Sequence, residues 1–276
     1  MKKLALTKTV GLNDSRTVCE FLTEFTALSK SRVKDAMGKG AVWLKRQKGK
    51  QHRIHRATAG IRPGDTLSIY YDEALLCKLP PLPELISDRE RYSVWIKPAG
   101  LMTQGTKYGD HCSLLRQAEL HFKTKRKVYL IHRLDREAAG LVLMAHDKTA
   151  AGRLARLFQT RQIIKRYNAR VLGNLAHKTP GDNIDLKLDG KPAATEFAVS
   201  DYDPATRTTR VNVVIRTGRK HQIRRHFEMI GHPVMGDPRY GKNNNNKDGM
   251  QLAATALEFS CPFNKKRLVF NYTSGL

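Results

Sequence analysis

A chain of 276 residues with 40% hydrophobic content can bury one large core, or a large and a small one, which excludes a disordered basic tail. Its 50 Lys and Arg against 25 Asp and Glu leave a formal charge of +25, a field that draws polyanions and points to nucleic acid as the partner. The cysteines Cys19, Cys77, Cys112 and Cys261 lie far apart, and no stretch reaches the ~20 apolar residues of a membrane-spanning helix, so a disulfide framework, a structural zinc site and a membrane partner are all unexpected.

The opening Met1-Lys2-Lys3-Leu4-Ala5-Leu6 is briefly signal-like, but the apolar run ends at Thr7-Lys8, so no export signal is read and a reducing, cytoplasmic setting is expected. Residues 1–72 hold 15 Lys and Arg against 6 Asp and Glu, a net of +9. Val18 to Phe25 carries apolar residues at helical spacing. Ser29 to Met37 reads as a second short helix opened by a serine cap and ended by Gly38 and Gly40. Ala41-Val42-Trp43-Leu44 then starts a strand. After a basic excursion (Lys45 to Arg56) the turn Ile61-Arg62-Pro63-Gly64-Asp65 leads into the strand Thr66 to Tyr71. His52 and His55 have the spacing of a metal pair without thiols or carboxylates close by in sequence, and are read as surface or RNA-facing histidines. This order resembles the small RNA-binding domain first seen in ribosomal protein S-four, through its second helix, its Lys-Gly-Ala-Val strand start and its Arg-Pro-Gly-Asp-Thr-Leu turn. The resemblance implies that Ser31, Arg32 and Lys34 face RNA. It departs at Leu44-Lys45-Arg46-Gln47, where a longer basic insertion follows.

Leu79-Pro80-Pro81-Leu82-Pro83-Glu84 reads as an extended connector, giving domains at 1–74 and 91–276 with a linker over 75–90. Beyond it, Tyr92 to Ile96 reads as a strand and His111 to Lys127 as a helix-like run with a basic end. Leu154, Leu157 and Phe158 share a helical face, with arginines on the other side as a solvated surface. Short strands follow at Tyr167–Leu172, Thr195–Tyr202 and Thr208–Arg216, and Asn243 to Asn246 reads as a mobile surface loop.

His132-Arg133-Leu134-Asp135 through Gly140-Leu141 lies between two apolar runs, Val128 to Ile131 and Leu141 to Ala145, each short enough for a buried strand. The segment between them is therefore a loop at strand ends, where a scaffold can present polar side chains. By itself it fits two readings equally: Asp135 capping a turn with Gly140 as a permissive link, or a functional carboxylate. Four further segments decide between them. They are Lys97-Pro98-Ala99-Gly100-Leu101, Lys165-Arg166-Tyr167-Asn168-Ala169, Gly190-Lys191-Pro192-Ala193-Ala194-Thr195-Glu196-Phe197, and Thr217-Gly218-Arg219-Lys220-His221-Gln222-Ile223-Arg224 through Gly236-Asp237-Pro238-Arg239-Tyr240-Gly241. From about residue 91 onward, and in this order, they resemble the RluA-type family of RNA pseudouridine synthases.

The resemblance implies an α+β fold: a catalytic domain with a mixed, mostly antiparallel sheet, beside a small N-terminal α/β RNA-binding domain. It implies isomerisation of uridine to its C-glycoside in RNA, without cofactor or metal; a monomer is the simplest expectation. Ribosomal RNA is favoured over transfer RNA by the charge and the S-four-like domain. By motif position Asp135 is the catalytic carboxylate, Tyr167 stacks on the target base, Arg224 pairs with Asp135, and Arg133 fills the space of the extruded nucleotide. His132, Lys97, Arg219 and His221 are expected to contact substrate or RNA. Elementary chemistry agrees: flipping a base costs roughly a few kcal/mol, an aromatic platform returns about 1–3, and a guanidinium favours an ionised carboxylate in a partly dry pocket. Attack at C1′, attack at C6 and removal of the C2′ proton all need the same anion and stay open. The family's usual Thr-Ser is replaced here by Ala138-Ala139, so two hydroxyls that could order the loop or reach RNA are missing.

Overall fold

A computed structural model describes residues 2–14, 17–123, 125–175, 183–244 and 246–276. The chain forms two compact units, Met1–Pro81 with Gln104–Lys123, and Leu82–Thr103 with Thr124–Leu276.

The first unit begins with β1 (Lys3–Thr9), a strand within the stretch read as briefly signal-like. Its alternating exposure sets Leu4 and Leu6 against the core. Helices α1 (Val18–Phe25) and α2 (Lys30–Gly38) follow, opened by Thr17 and Ser29, whose hydroxyls accept the N–H groups of Glu20 and Arg32. Then come β2 (Val42–Lys45), β3 (His52–Arg53), β4 (Thr66–Asp72) and the single turn α3 (Glu73–Leu76). The strands form one antiparallel sheet in the order β1-β4-β2-β3. Its inner face (Val42, Leu44, Leu67, Ile69, Tyr71) packs with Phe21, Leu22, Val33 and Met37 of the helices.

The second unit opens with β5 (Glu84–Asp88) and β6 (Tyr92–Lys97); the chain then contributes α4 (Leu114–His121) to the first unit. The connector expected over 75–90 is thus shorter than the composition suggested. Residues 84–88 satisfy their backbone by pairing with β6, and the first unit runs to Pro81. The boundary at 74 also misses the 104–123 segment. That segment is tied to the first unit by Trp43 Nε1 donating to the Lys107 carbonyl (3.0 Å), Asp110 N donating to the Lys39 carbonyl (2.9 Å) and His55 Nε2 meeting Asp110 at 3.1 and 3.2 Å. His55 has a carboxylate partner after all, 55 residues away in sequence.

The rest of the second unit comprises β7 (Tyr129–Leu130), β8 (Ala139–Ala145), α5 (Lys148–Gln159), β9 (Ile164–Leu172), β10 (Asn183–Asp185), β11 (Ala194–Asp203), β12 (Thr208–Ile215), α6 (Gln222–Met229), β13 (Leu252–Ser260) and β14 (Arg267–Asn271). The sheet order is β10-β11-β12-β9-β13-β8-β6-β5, antiparallel except between β8 and β13. Those two strands run parallel only at Ala139–Gly140 against Ala253–Ala254; beyond that, β7 takes the free side of β8 and β14 that of β13. The sheet therefore splits at its centre, and the 132–138 loop enters β8 at the split. The asparagine run is no surface loop throughout. Asn244 is buried, accepting from Gly236 N–H (2.9 Å) and donating to the Val234 (2.6 Å) and Tyr240 (2.9 Å) carbonyls; Asn245 lies outside the described residues. Among the described residues, no helix is long and apolar enough to cross a membrane.

Candidate active site

Strand register lays Lys97, Gly140, Ala254 and Tyr167 in one row, through β6–β8, β8–β13 and β13–β9. Gly140 makes the row possible. Its φ is +115, and a Cβ there would lie 2.2 Å from the Ala254 carbonyl oxygen and 2.5 Å from its nitrogen. No side chain fits, so only glycine lets β8 reach β13.

The loop ahead of Gly140 is held from below. The Thr103 hydroxyl donates to the Leu134 carbonyl (2.6 Å) and accepts the Leu134 N–H (3.1 Å). Gly100 N–H donates to the Arg136 carbonyl at 2.8 Å. Lys97 is fully buried, its ammonium donating to the carbonyls of Pro98 (3.0 Å), Leu101 (2.8 Å) and Arg136 (3.3 Å). Burial pulls its pKa down to about 7, against the opposing charges of Glu137 and Asp135. Lys97 therefore braces the loop and cannot be an RNA contact as expected. Thr103 and Lys97 hold the loop beside Ala138 and Ala139, where the two hydroxyls are absent. His132 is half-buried. Its Nε2 accepts the Leu143 N–H (2.9 Å), its ring stacks on Phe158 with centroids 4.5 Å apart, and burial with the nearby Lys165 charge drives its pKa down to about 3. It is a neutral anchor between the loop and α5. Arg133, by contrast, is exposed on the loop.

Asp135 faces α6. Arg224 Nη1 donates to its Oδ2 at 2.7 Å, while Arg224 Nε and Nη2 grip both oxygens of Asp237 at 2.6 and 2.8 Å. Arg224 is 2% exposed and the Asp237 side chain 0%, so this is a buried guanidinium held by two carboxylates. Burial works against its charge, and the bonds to Asp237 and Asp135 more than restore it, holding its pKa above the ordinary arginine value. The pairing of Asp135 with Arg224, expected from motif position, is present. Asp237 lies in the Gly236-Asp237-Pro238-Arg239-Tyr240-Gly241 segment, thirteen residues from Arg224, a separation that offers no local signal for the pair. Glu137 Oε2 also stands 4.0 Å from Arg224 Nη1.

Tyr167 is buried, and burial together with Asp135 raises its phenol pKa. On the same face of β9, Lys165 donates to the Thr217 carbonyl (2.9 Å), with its pKa lowered to about 8 by burial. Gln222 fixes the start of α6: its carbonyl accepts from Thr217 Oγ1 (2.7 Å) and Arg219 N–H (3.1 Å), and its amide donates to the Ala194 carbonyl (2.8 Å). Arg219 is half-buried, its Nε donating to the Pro192 carbonyl at 3.2 Å. His221 is half-buried with Nε2 3.6 Å from Asp135 Oδ1, so it faces the carboxylate. Ser31, Arg32 and Lys34 belong to the first unit, exposed on α2, where Arg32 pairs with Glu73 at 3.3 Å.

The resulting site is a loop carboxylate with one oxygen bound to a buried guanidinium and the other open, in the row that carries Tyr167. The profile described as RNA pseudouridylate synthase matches residues 91–229. The tRNA pseudouridine synthase C of Pasteurella multocida is 31% identical over 202 residues, covering 62% of this chain and 83% of that protein. The ribosomal large subunit pseudouridine synthase D of Nitrosomonas europaea is 32% identical over 185 residues, covering 62% and 53%. Among solved structures, human RNA pseudouridylate synthase domain containing 1 superposes with a TM-score of 0.58 at 22% identity, covering 71% of this chain and 86% of that one, a likeness of fold.

Proposed function

Since this chain belongs to the RNA pseudouridylate synthase family, we propose that Asp135 is the carboxylate with which it isomerises uridine, in ribosomal RNA. The observation that carries the reading is the 2.7 Å bond from Arg224 to Asp135 Oδ2, beside an Oδ1 that accepts no hydrogen bond from the described residues. A fixed cation on one oxygen keeps the other available as base or nucleophile in a partly dry site. Isomerisation breaks N1–C1′, rotates the base and forms C5–C1′, with the C5 proton lost and one gained at N1. Atoms and electrons balance without a cofactor. Tyr167 serves as the platform under the detached base. Arg133, exposed two residues before Asp135, takes the place of the flipped nucleotide in the RNA stack. Arg219, with Ser31, Arg32 and Lys34 on α2, meets phosphates.

The +25 charge and the small basic first unit favour the extended polyanion of ribosomal RNA. The test is site-by-site pseudouridine mapping of RNA from cells lacking this protein, rescued with wild type or with Asp135→Asn. One ribosomal site should vanish and return only with wild type, the variant being slower by on the order of 10²–10⁴ while still binding RNA. Rescue by Asp135→Asn would sink the assignment of the carboxylate, and a lost transfer-RNA site would move the substrate.

A further inference from the structure

A second arm reaches Asp135, from the start of α6. His221 occupies the N-cap position of that helix in left-handed backbone (φ 52, ψ 33), yet its side chain makes no cap bond. A non-glycine residue in this conformation is strained and persists where its surroundings over-determine it. The His221 ring is so determined. Its Nδ1 lies 3.1 Å from the Tyr240 hydroxyl, the rings meet edge to face at 5.8 Å, and Nε2 stands 3.6 Å from Asp135 Oδ1. Tyr240 is placed in turn by Asp237, whose Oδ1 accepts the N–H groups of Arg239 (2.9 Å) and Tyr240 (3.2 Å) while its carboxylate grips Arg224. The contacts close a ring: Asp135, Arg224, Asp237, Tyr240, His221 and back to Asp135.

We infer that His221, with its tautomer set by Tyr240, is a positioning residue that offers an Nε2–H to the free oxygen of Asp135. The inference rests on Asp135 being the reactive carboxylate. A phenol hydroxyl donating to Nδ1 leaves the single proton of a neutral imidazole on Nε2, aimed at Oδ1. At 3.6 Å the contact is an approach, short of a hydrogen bond, and it tightens once substrate orders the site. The groups facing His221 are Asp135, Tyr240, Arg224, Arg239 and Lys220. Burial and the three cations lower its pKa and Asp135 raises it, with the net result below an ordinary histidine. Neutral His221 steers Oδ1 and leaves it reactive. Protonated His221 ion-pairs with Oδ1 and withdraws it, so the rate falls toward acid.

The full-length protein is assayed in single turnover, with enzyme in excess over uridine-C5-tritiated RNA from cells lacking it, and tritium release is followed from pH 5 to 8. Asp135→Asn is run alongside. His221→Ala should slow the saturated rate about tenfold, with RNA affinity within about twofold of wild type. His221→Gln keeps a donor near the Nε2 position and cannot titrate. It should recover most of that loss and flatten the acid limb. Tyr240→Phe removes the hydroxyl that favours the neutral ring, so its acid limb should move to higher pH. Melting curves confirm folding of each variant, and His221→Gln with Tyr240→Phe decides the matter should His221→Ala fail to fold. An unchanged acid limb in both of those variants overturns the inference, as does weaker RNA binding with an unchanged saturated rate, which marks an ordinary RNA contact. Full activity in Asp135→Asn overturns the carboxylate assignment itself, an outcome distinct from either.

Discussion

Each unit of this chain carries a carboxylate flanked by an arginine and a histidine. In the first, Asp110 has Arg53 Nε at 3.4 Å and His55 Nε2 within 3.2 Å of both oxygens, and it packs so tightly on Gly40 that a Cβ there would lie 2.2 Å from Oδ1. In the second, Asp135 has Arg224 at 2.7 Å on one oxygen and His221 at 3.6 Å from the other, with 28% of its side chain exposed against 13% for Asp110. The same three residue types make a strut in one place and a reactive-looking centre in the other. The difference lies in saturation: both oxygens of Asp110 are occupied, while Asp135 keeps one free. The arginines differ too. Burial lowers the pKa of Arg53, since its carboxylate neighbours only partly compensate, whereas Arg224 has the wholly buried Asp237 as a second partner and its pKa rises. A second, sealed carboxylate lets one guanidinium hold Asp135 from one side only.

That contrast can be broken by experiment. The largest effect on folding is expected from Asp237→Asn, which strips the buried guanidinium of its bidentate partner at constant size. Losing one member of a buried pair costs about 3–5 kcal/mol, so denaturant unfolding should shift by that much, and whatever folds should turn over slowly because Arg224 is no longer aimed. Asp110→Asn should cost less, about 1–3 kcal/mol in the same measurement, and leave the saturated single-turnover rate within about twofold of wild type. If Asp110→Asn slowed turnover as much as Asp237→Asn, the distinction between strut and site would fail.

The smallest effect concerns His132, the neutral anchor of the loop. Its folded pKa of about 3 lies below the unfolded value near 6.5, so between those values the unfolded chain binds more protons. Stability is then highest above pH 6.5 and declines as pH falls toward 3. From pH 7.5 to 5.5 the decline should be about 1.4 kcal/mol, and a His132→Gln variant, which retains an acceptor and cannot titrate, should lose that portion of the pH dependence. Equal slopes for the two proteins would show that His132 is already accessible to protons when folded.

What the sequence alone determined was local. Apolar alternation and length identified β4, β6, β8, β9, β11 and β12, the Ser29 cap opened α2, and two apolar runs bracketing a polar loop located Asp135, although only the second is a buried strand and the first is the two-residue, half-buried β7. The ordered motifs brought Arg224 and Tyr167 to the same site, since a family resemblance carries long-range information that periodicity lacks. Only the tertiary structure decided the rest. The pairing of Arg224 with Asp237, the burial of Lys97 beneath the loop, the neutrality of His132, the approach of Tyr240 to His221 and of His221 to Asp135, and the membership of residues 104–123 in the first unit all depend on which distant segments meet. A side chain's neighbours on its own strand or helix are set by a repeat of 2 or 3.6 residues, which is written in the sequence. Its partners across a split sheet are set by strand order, register and the single glycine that lets β8 touch β13, and no local repeat encodes those.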